Sequence, residues 1–423
     1  MIFFYRVLTF LLFPVFISMT YLRRFSKKED KIRFKEKISV SENFFPDNKK
    51  VFWVHAASVG ETNSVLPLIE RLIKNDKEIF ILLTSTTLSS SQLIKKKKLN
   101  NDNFQHRFFP LDVQFLVKKF LNHWKPKLII FIDSEVWPNY LLEISKRKIP
   151  LVLLNGRITT KTFKRWKIFP DLSRKLFNSY DLCLPASSES EKNLKSLGAK
   201  NVKFIGNLKF CSKINYEENN NHLKTLFSNY CVWCAASTHR GEEEIILKTH
   251  IMLKKKDINI LTIIIPRHII RSNEIYKICN NLKLNSQIIN KYEDISKKSE
   301  ILIINSIGEM NKYFYNCQSI FMGKSLSKKL IKVGGQNPIE PAKAGCKIYH
   351  GPYVSNFKEI YGFLNKKQIA KEINDEFELS DNLLKDFKNI SYKNKTNIED
   401  LNNYGEEILA STAKEILKLN DKI

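Results

Sequence analysis

The sequence predicts an α/β protein with two successive domains, each built on a parallel sheet, behind an N-terminal membrane anchor. Three observations carry this prediction: an apolar N-terminus, short apolar runs that alternate with helical patterns, and a polar stretch that divides two halves of similar rhythm. The chain has 423 residues, of which 43% are hydrophobic. This is enough for two or three domains with sizeable cores, and it excludes wholesale disorder.

The anchor is predicted over residues 1–24. Arg6 is the only charged residue before Arg23, and the apolar run between them is slightly shorter than the roughly 20 residues that a spanning helix needs. Pro14 interrupts this run, and residues 23–37 then form a basic flank. Because this order is not that of a cleaved signal peptide, we expect an uncleaved single-pass or interfacial anchor with its flank on the cytoplasmic side. A buried helix of a soluble domain is the alternative.

The two domains are predicted over residues 40–210 and 222–395. Their expected strands are the apolar runs between segments with helical spacing. In the first half these runs are Val51–His55, Ile79–Thr84, Leu128–Ile132, Leu151–Asn155, Asp181–Pro185 and Val202–Gly206. In the second half they are Val232–Ser237, Ile260–Pro266, Ser286–Ile289, Ile301–Asn305, Ser319–Met322 and Lys347–His350. The polar segment Ser212–Asn221 is predicted to link the domains, and residues 396–423 to form a C-terminal helix.

Net charge and cysteine content do not by themselves select one class of function. The net charge of +27 indicates an anionic partner such as a membrane surface, phosphates or nucleic acid, but a lysine-rich solvated surface explains it equally well. Seven scattered cysteines are not a disulfide framework. Cys231 and Cys234 have C-x-x-C spacing, yet they lie in a strand-like run where residues three apart point to opposite faces. We therefore predict packed thiols in a reducing, cytoplasmic compartment.

Polar groups follow several predicted strands of the first half. Glu61 comes after a turn of small residues at the start of a predicted helix, where a carboxylate is either a helix cap or a base. Glu135 follows Leu128–Ile132 in an equivalent loop, and Arg157 and Lys209 follow two later strands. Because doubly wound sheets bind ligands beyond the carboxyl ends of their strands, these loops are predicted to carry the chemistry. Two carboxylates in one crevice can divide base and orienting roles.

The second half has the residue types of an anion and nucleoside site at its strand ends. Hydroxyl and imidazole groups occur in Ser237–His239, and Arg267 and His268 are potential phosphate binders. Gly308-Glu309 and the segment Gly334–Pro341 offer turns that can direct backbone N–H groups at a phosphate. Each turn alone is commonly only a turn, so it is their placement at successive strand ends that predicts a site.

These segments together resemble one family. In order, they read WVHAASVGE (53–61), DSEVWPN (133–139), LLNGRIT (153–159), GNLKF (206–210), ASTHRGEEE (236–244), IPRH (265–268), GE (308–309), GGQNPIEPAKAG (334–345) and GPYVSNFKEI (351–360). Over its whole length the chain resembles the bacterial 3-deoxy-D-manno-octulosonic acid (Kdo) transferases of lipopolysaccharide and lipid A biosynthesis. It departs from the family at Gly323-Lys324-Ser325, where the family usually has Gly-Gly-Ser, and at Gly334-Gly335-Gln336, where it usually has Gly-Gly-His.

The resemblance implies a GT-B glycosyltransferase with two Rossmann-like domains facing a cleft, the acceptor on the first and the CMP-sugar on the second. It implies an inverting, metal-independent transfer of Kdo from CMP-Kdo to lipid IVA, without a cofactor, at the cytoplasmic face of the cell inner membrane. By position, Glu61 is the proton acceptor, and Glu135 and Lys209 are transition-state stabilisers. The implied donor-binding residues are Pro266, Arg267, His268, Gly308, Glu309, Met310, Asn337, Pro338, Ile339 and Glu340. The implied partners are the two substrates and the anionic membrane surface, with no nucleic acid.

The residues themselves leave two alternative functions open. An enzyme of the same architecture that uses a UDP-sugar on a lipid acceptor would share the anchor and both domains, but not the segments 58–61 and 133–138. A membrane-tethered nucleic-acid binder would explain the charge, but its lysines are expected in a stripe with stacking aromatic residues. The runs Lys27–Lys28 and Lys95–Lys98 are instead dispersed.

Overall fold

Two α/β units make up the chain in the computed structural model, which describes residues 1–40, 46, 48–97, 102–212, 221–291, 294–296, 298–306, 308, 310–331, 333–388 and 395–420. Residues 1–212 and 404–423 belong to the first unit, and residues 213–403 to the second. Both units contain a fully parallel sheet, which confirms the predicted α/β class with two parallel-sheet domains. The predicted linker Ser212–Asn221 lies outside the described residues except at its two ends.

The N-terminus forms two helices rather than the single anchor helix that was predicted. These are α1 (Ile2–Leu11) and α2 (Phe13–Phe25), and they are bent by 51° at the break between them. Pro14 lies in the first turn of α2, where it has no N–H to continue the hydrogen bonds of α1. Among the described residues no single helix is long and apolar enough to cross a membrane, whereas α1 and α2 together reach that length and hydropathy.

The first sheet has six strands in the order β3-β2-β1-β4-β5-β6. The strands are β1 (Lys50–His55), β2 (Ile79–Ser85), β3 (Phe104–Phe108), β4 (Leu128–Ile132), β5 (Leu151–Gly156) and β6 (Leu182–Pro185). From β1 the chain builds outward to β3 and then returns to β4 on the other side of β1, where His55 pairs with Phe131. The carboxyl ends of β1 and β4 therefore flank the point where the strand order reverses, the usual ligand position in such sheets.

Seven further helices cover the two faces of this sheet. They are α3 (Val59–Asn75), α4 (Leu88–Lys96), α5 (Gln114–Trp124), α6 (Pro138–Lys146), α7 (Thr160–Lys167), α8 (Pro170–Phe177) and α9 (Ser188–Leu197). The core between them is aromatic, with Trp53 of β1 packed against Phe109, Phe120, Phe131 and Tyr140. Burial of these large rings makes β1 and β4 rigid supports for the loops at their ends.

At the edges of the first sheet, one strand was not predicted and one predicted strand was wrong. Phe104–Phe108 is a strand whose residues alternate between buried and half-buried positions, so it lacks the continuous apolar run of a central strand. Val202–Gly206 is not a strand: Val202 makes only an isolated bridge with Cys183. The other five predicted runs are strands of the sheet.

The second sheet has seven strands in the order β13-β12-β11-β7-β8-β10-β9. They are β7 (Cys231–Thr238), β8 (Ile260–Pro266), β9 (Ser286–Ile289), β10 (Ile301–Ile304), β11 (Ser319–Met322), β12 (Lys347–His350) and β13 (Ala370–Glu372), the last of which was not predicted. The helices are α10 (Asn221–Phe227), α11 (Glu242–Lys254), α12 (Ser272–Asn281), α13 (Met310–Phe314), α14 (Ile339–Lys343), α15 (Lys358–Lys366) and α16 (Glu376–Lys388). Here the strand order reverses between β7 and β11. Cys231 and Cys234 are unpaired thiols of β7, as predicted.

The C-terminal helix α17 (Lys395–Asn420) contributes its residues from Tyr404 onward to the first unit. Gly405 lies against the segment that follows Gly206: a Cβ on Gly405 would approach the Phe210 carbonyl oxygen to 2.3 Å. The Cys211 thiol donates to the Gly405 carbonyl at 3.2 Å, and the ring of Tyr404 packs on Phe210. The sequence did not indicate this association, which holds the segment around Lys209 in place.

Candidate functional site

The first turn of α3 places the carboxylate of Glu61 at the carboxyl end of β1. Ser58 is the N-cap of α3 and Glu61 follows three residues later, which is the spacing of a capping box. The Ser58 hydroxyl donates to Glu61 Oε1 at 2.6 Å, and the Ala57 N–H donates to Oε2 at 2.8 Å. Local sequence alone therefore orients this side chain.

Burial dominates the electrostatics of Glu61. Burial raises the pKa of Glu61 to about 7. The negative charges of Asp133 and Glu135 also raise this pKa, whereas the hydrogen bond from Ser58 lowers it. A carboxylate with a pKa near neutrality can take up and release a proton at physiological pH, which is what a general base requires. Glu61 makes the capping contacts and also has this raised pKa, so its geometry is compatible with both predicted roles, helix cap and base.

Glu135 lies in the loop after β4 and is held by two aromatic donors. Its Oε2 atom lies 3.1 Å from His55 Nε2 and accepts a hydrogen bond from Trp137 Nε1 at 2.5 Å. Burial raises the pKa of Glu135, but the interactions with His55 and Trp137 outweigh burial and lower it overall. The site thus holds one carboxylate that stays ionised at neutral pH beside one that titrates there.

His55 connects Glu135 to the interior of the sheet. Its ring is fully buried and stacks on Phe109, with 3.8 Å between the ring centroids. His55 Nδ1 lies 2.9 Å from Thr84 Oγ1, and that hydroxyl accepts a hydrogen bond from Trp53 Nε1 at 2.8 Å. His55 Nδ1 also lies 3.2 Å from the Thr84 carbonyl, and because an ionised Glu135 can only accept, the imidazole carries a proton on Nε2 that points to Glu135.

A third carboxylate and two cations complete the cluster. Asp133 adopts a left-handed backbone with φ of 69°, and its carbonyl accepts a hydrogen bond from the Arg157 N–H at 3.0 Å. Burial raises the pKa of the Asp133 carboxyl, while the charges of Lys209 and Arg157 lower it. Burial lowers the pKa of Lys209, whereas the charges of Asp133 and Glu61 raise it. These effects leave the pKa of Lys209 below its ordinary value, and the side chain lies in a mainly acidic cluster.

The position of Lys209 depends on two asparagines. Asn155, at the end of β5 with φ of 54°, accepts a hydrogen bond from the Leu208 N–H at 3.0 Å through its Oδ1. Asn207 accepts one from the Lys209 N–H at 3.0 Å and donates to the Ala186 carbonyl at 3.1 Å. These contacts attach the Lys209 segment to the ends of β5 and β6.

In the second unit, Glu242 joins the loops that follow β7 and β11. Its Oε2 accepts hydrogen bonds from the N–H groups of His239 (2.9 Å) and Lys324 (2.8 Å). Its Oε1 accepts from those of Ser325 (2.8 Å) and Leu326 (3.1 Å). Because four backbone donors occupy this buried carboxylate, its role is to hold the two loops together.

The predicted donor residues after β8 lie beside the same loops. Pro266 ends β8, and the side chains of Arg267 and His268 are exposed beyond it. The Arg267 N–H donates to the Thr238 carbonyl at 3.1 Å, and the rings of His268 and His239 have centroids 6.1 Å apart. The ends of β7, β8 and β11 therefore form one edge with several basic groups.

The predicted residues around Gly308 are described in part. Gly308 has φ of 85°, a conformation that favours glycine, and Met310 begins α13. The Ser237 hydroxyl, at the end of β7, lies 3.9 Å from Met310 Sδ. Glu309 lies outside the described residues.

The remaining predicted donor residues surround the start of α14. Asn337 Oδ1 accepts a hydrogen bond from the Ile339 N–H at 3.2 Å, and Pro338 and Ile339 are buried. Burial raises the pKa of the Glu340 carboxyl. In the part of the chain that the structure describes, this carboxylate forms no hydrogen bond or ion pair.

The structure brings Glu61, Glu135 and Lys209 together within the first unit, and it groups 266–268 with the ends of β7 and β11 in the second. Sequence reasoning missed His55, Asp133, Asn155 and Glu242 as members of these clusters. The available signal was a polar residue at or just after the end of an apolar run. Among the described residues there is no group of three or more His, Cys, Asp or Glu side chains that could hold a metal ion.

Comparison with known proteins identifies the family. A family model described as 3-Deoxy-D-manno-octulosonic-acid transferase (kdotransferase) matches residues 32–212. The 3-deoxy-D-manno-octulosonic acid transferase of Rickettsia bellii (strain RML369-C) is 33% identical over 362 residues, which cover 84% of this chain and 84% of that protein. The chain belongs to the Kdo transferase family. The corresponding transferase of Haemophilus influenzae is 28% identical over 399 residues, covering 92% of this chain and 91% of the relative.

Solved structures agree on the fold. UDP-GlcNAc 2-epimerase from Neisseria meningitidis bound to UDP-GlcNAc is similar over 87% of this chain and 99% of its own, with a TM-score of 0.59 and 15% identity. At that identity the likeness supports only a GT-B-like architecture of two parallel-sheet units. Family membership makes the chain a glycosyltransferase of lipopolysaccharide biosynthesis, and it favours the enzyme over the basic nucleic-acid binder.

Proposed function

We propose that the chain transfers Kdo from CMP-Kdo to a sugar hydroxyl of lipid IVA with inversion at the anomeric carbon. The observation that carries this proposal is the cluster of Glu61, Glu135 and Lys209 at the point where the strand order of the first sheet reverses, in a chain of this family. In the reaction the acceptor oxygen bonds to the anomeric carbon, the bond from that carbon to the CMP phosphate oxygen breaks, and the acceptor hydroxyl proton is released. The products are the Kdo-bearing lipid and CMP.

Glu61 is proposed as the general base that takes this proton. Its raised pKa supports the role, because a base with a pKa of about 7 is about half ionised at pH 7 and is basic enough to accept a proton from the attacking hydroxyl. The Ser58 and Ala57 hydrogen bonds hold both oxygens in a fixed orientation, so little reorganisation is needed before proton transfer.

Glu135 and Lys209 are proposed to stabilise the transition state. Glycosyl transfer passes through an oxocarbenium-like state while negative charge develops on the departing phosphate. An ionised Glu135 matches the positive charge on the sugar, and the ammonium of Lys209 matches the developing negative charge. Burial supports both roles, because electrostatic interactions are stronger where water is excluded.

The second unit is proposed to bind CMP-Kdo through the residues predicted from the family. Arg267 and His268 would contact the phosphate beside Pro266, and the carboxylate of Glu340 suits the two ribose hydroxyls as an acceptor. Gly308, Met310, Asn337, Pro338 and Ile339 would line the cytidine site, with Glu309 as a further predicted member.

Incubating the purified chain with CMP-Kdo and lipid IVA tests this function. Mass spectrometry should detect lipid IVA carrying Kdo, and CMP should be released in equal amount. A matched reaction with UDP-sugars should give no product. A sugar transferred from UDP and none from CMP-Kdo would favour the alternative enzyme and contradict this proposal.

The chain is further proposed to act at the cytoplasmic face of the inner membrane, with α1 and α2 lying in the bilayer interface. One side of α1 is attached to the first unit by polar contacts: the Tyr5 hydroxyl donates to Asp112 at 2.7 Å, Arg6 pairs with Glu143, and Asn139 donates to Thr9. The other side exposes large apolar groups, of which Phe3 and Phe4 are 72% and 74% exposed. The basic stretch 23–37 lies next to this apolar surface in the chain and suits anionic lipid headgroups.

Substitution of the exposed face tests the membrane proposal while keeping the polar contacts. The triple variant Phe4→Ser, Leu8→Ser, Leu11→Ser should lose sedimentation with vesicles that contain anionic lipid, and transfer to an acceptor in those vesicles should slow. Transfer to a detergent-dispersed acceptor should change little, since the chemistry is elsewhere. The exposed apolar residues Ile270 and Phe377 of the second unit provide the control, as a double serine variant. A triple variant that still sediments like the wild type would place membrane binding on another surface.

A further inference from the structure

Lys324 occupies an unusual backbone position at the carboxyl end of β11. Its φ is 61°, in the left-handed region where glycine is favoured and a lysine is strained. β11 and β7 are neighbours, with Met322 paired to Ala236, and the second sheet reverses its strand order between them. Lys324 thus stands where a doubly wound sheet binds its ligand.

The loops after β7 and β11 are in close contact at this point. A Cβ on Gly323 would approach the Ser237 carbonyl oxygen to 2.6 Å, so the two backbones can pass only because residue 323 is glycine. One oxygen of Glu242 accepts hydrogen bonds from the N–H groups of both His239 and Lys324. This shared acceptor fixes the Lys324 backbone beside that of His239.

The Lys324 side chain adds positive charge to a place that is already basic. Burial lowers the pKa of the His239 imidazole, and the charges of Lys324 and His268 lower it further, against contributions from Ser237 and Glu242. The Lys324 ammonium forms no hydrogen bond or ion pair in the described part of the chain, and Glu242, the neighbouring acid, is occupied by four backbone donors. Among the described residues, this lysine therefore adds a positive charge beside the His239 imidazole that no side-chain carboxylate offsets, which favours a bound anion.

We infer that Lys324, with His239 and His268, binds the phosphate of a nucleotide at the β7–β11 edge of the second unit. The inference rests on the proposed function in taking the nucleotide to be the CMP part of the sugar donor. It adds a residue to the donor site, because Lys324 is outside the segments by which the donor site was predicted.

Calorimetric titration of the full chain with CMP and with cytidine tests the assignment. Lys324→Gly should weaken CMP binding about tenfold, the effect of one charge-assisted hydrogen bond at a half-exposed site, and should leave cytidine binding unchanged because cytidine has no phosphate. Lys324→Arg should keep most of the affinity. The control is Lys283→Gly, another lysine of the second unit with left-handed φ (56°) and an exposed side chain, which should leave both ligands unaffected.

Thermal unfolding separates binding from folding. Lys324→Gly removes a strained residue, so its Tm should equal or exceed that of the wild type while its CMP affinity falls. Equal losses of CMP and cytidine binding would mean that the loop is disturbed, and they would overturn the assignment. Unchanged CMP binding would overturn it directly.

Inorganic phosphate in equilibrium dialysis distinguishes failure of this inference from failure of the proposed function. If the wild type binds phosphate but not CMP, the proposed donor is wrong. Loss of that phosphate binding in Lys324→Gly would still support the anion site. If neither CMP nor phosphate binds, both proposals are wrong.

Discussion

The Glu61→Gln substitution separates the two roles that its position allows. Glutamine keeps the size of the side chain and one carbonyl acceptor for the Ala57 N–H or the Ser58 hydroxyl, so most of the helix cap survives. It cannot take up a proton. We therefore expect turnover at saturating substrates to fall by roughly 10²- to 10⁴-fold, the usual effect of removing a general base, with nearly unchanged CMP-Kdo binding.

The pKa of Glu61 sets the pH dependence of the wild-type enzyme. With a pKa of about 7, about half of the Glu61 carboxyl is ionised at pH 7 and about a tenth at pH 6. If Glu61 is the base, kcat/KM should fall about tenfold per pH unit below pH 6. With a glutamate of ordinary pKa as the base, kcat/KM would not change until the pH fell to about 5. Glu61→Gln should remove this limb of the profile.

The same pKa makes a prediction about stability, with a definite sign. Because the pKa of Glu61 is higher in the folded chain than in the unfolded chain, the folded state binds more protons between the two values. The free energy of unfolding should therefore fall as pH rises through the window from about 4.5 to about 7, by on the order of 3 kcal/mol for this residue. Glu61→Gln should flatten that part of the stability curve.

The assay is transfer of Kdo to detergent-dispersed lipid IVA between pH 5.5 and 8.5, with chemical denaturation in the same buffers. Glu378→Gln is the matched control: Glu378 accepts a backbone N–H from Asn374 at 2.9 Å and follows Asp375 with capping-box spacing, but it lies on the exposed start of α16. A profile that is flat from pH 5.5 to 8 would refute the raised pKa. Wild-type turnover in Glu61→Gln would show that Glu61 is only a cap.

Two further outcomes follow from the contacts of the site. His55→Phe keeps the ring on Phe109 but removes the donor to Glu135, so kcat should fall about tenfold with little change in the donor KM, while His55→Gln, which retains a donor, should recover part of the rate. Steady-state kinetics measures both, and equal rates would deny His55 any positioning role. Arg267→Ala and Glu340→Ala should each weaken CMP binding about tenfold in calorimetry, through phosphate and ribose respectively. Retained affinity in either variant would remove that residue from the donor site.

The sequence by itself determined the fold class and most of the strands. Central parallel strands are buried on both faces, so runs such as Val51–His55, Leu128–Ile132 and Ile260–Pro266 are apolar without interruption and can be recognised one at a time. The edges of the first sheet could not be recognised reliably from uninterrupted apolar runs. Phe104–Phe108 alternates because half of its residues are only partly buried, and Val202–Gly206 has no more than one bridge to its neighbour.

Sequence also determined the local geometry of Glu61. A capping box is a contact between residues three apart, so Ser58 and Glu61 orient each other wherever the helix is placed. The family was recognisable for a related reason: its motifs are short segments at strand ends, and each can be compared without knowledge of the rest of the chain.

Only the tertiary structure decided how those segments combine. His55 and Glu135 are 80 residues apart in sequence and meet because β4 returns to the side of β1, and residues from Tyr404 onward return to hold the segment of Lys209. The pKa of Glu61 is raised mainly by burial, and burial depends on every element packed around it. Likewise, the left-handed backbone of Lys324 is held by a hydrogen bond to Glu242, 82 residues away in sequence, which composition and spacing do not encode.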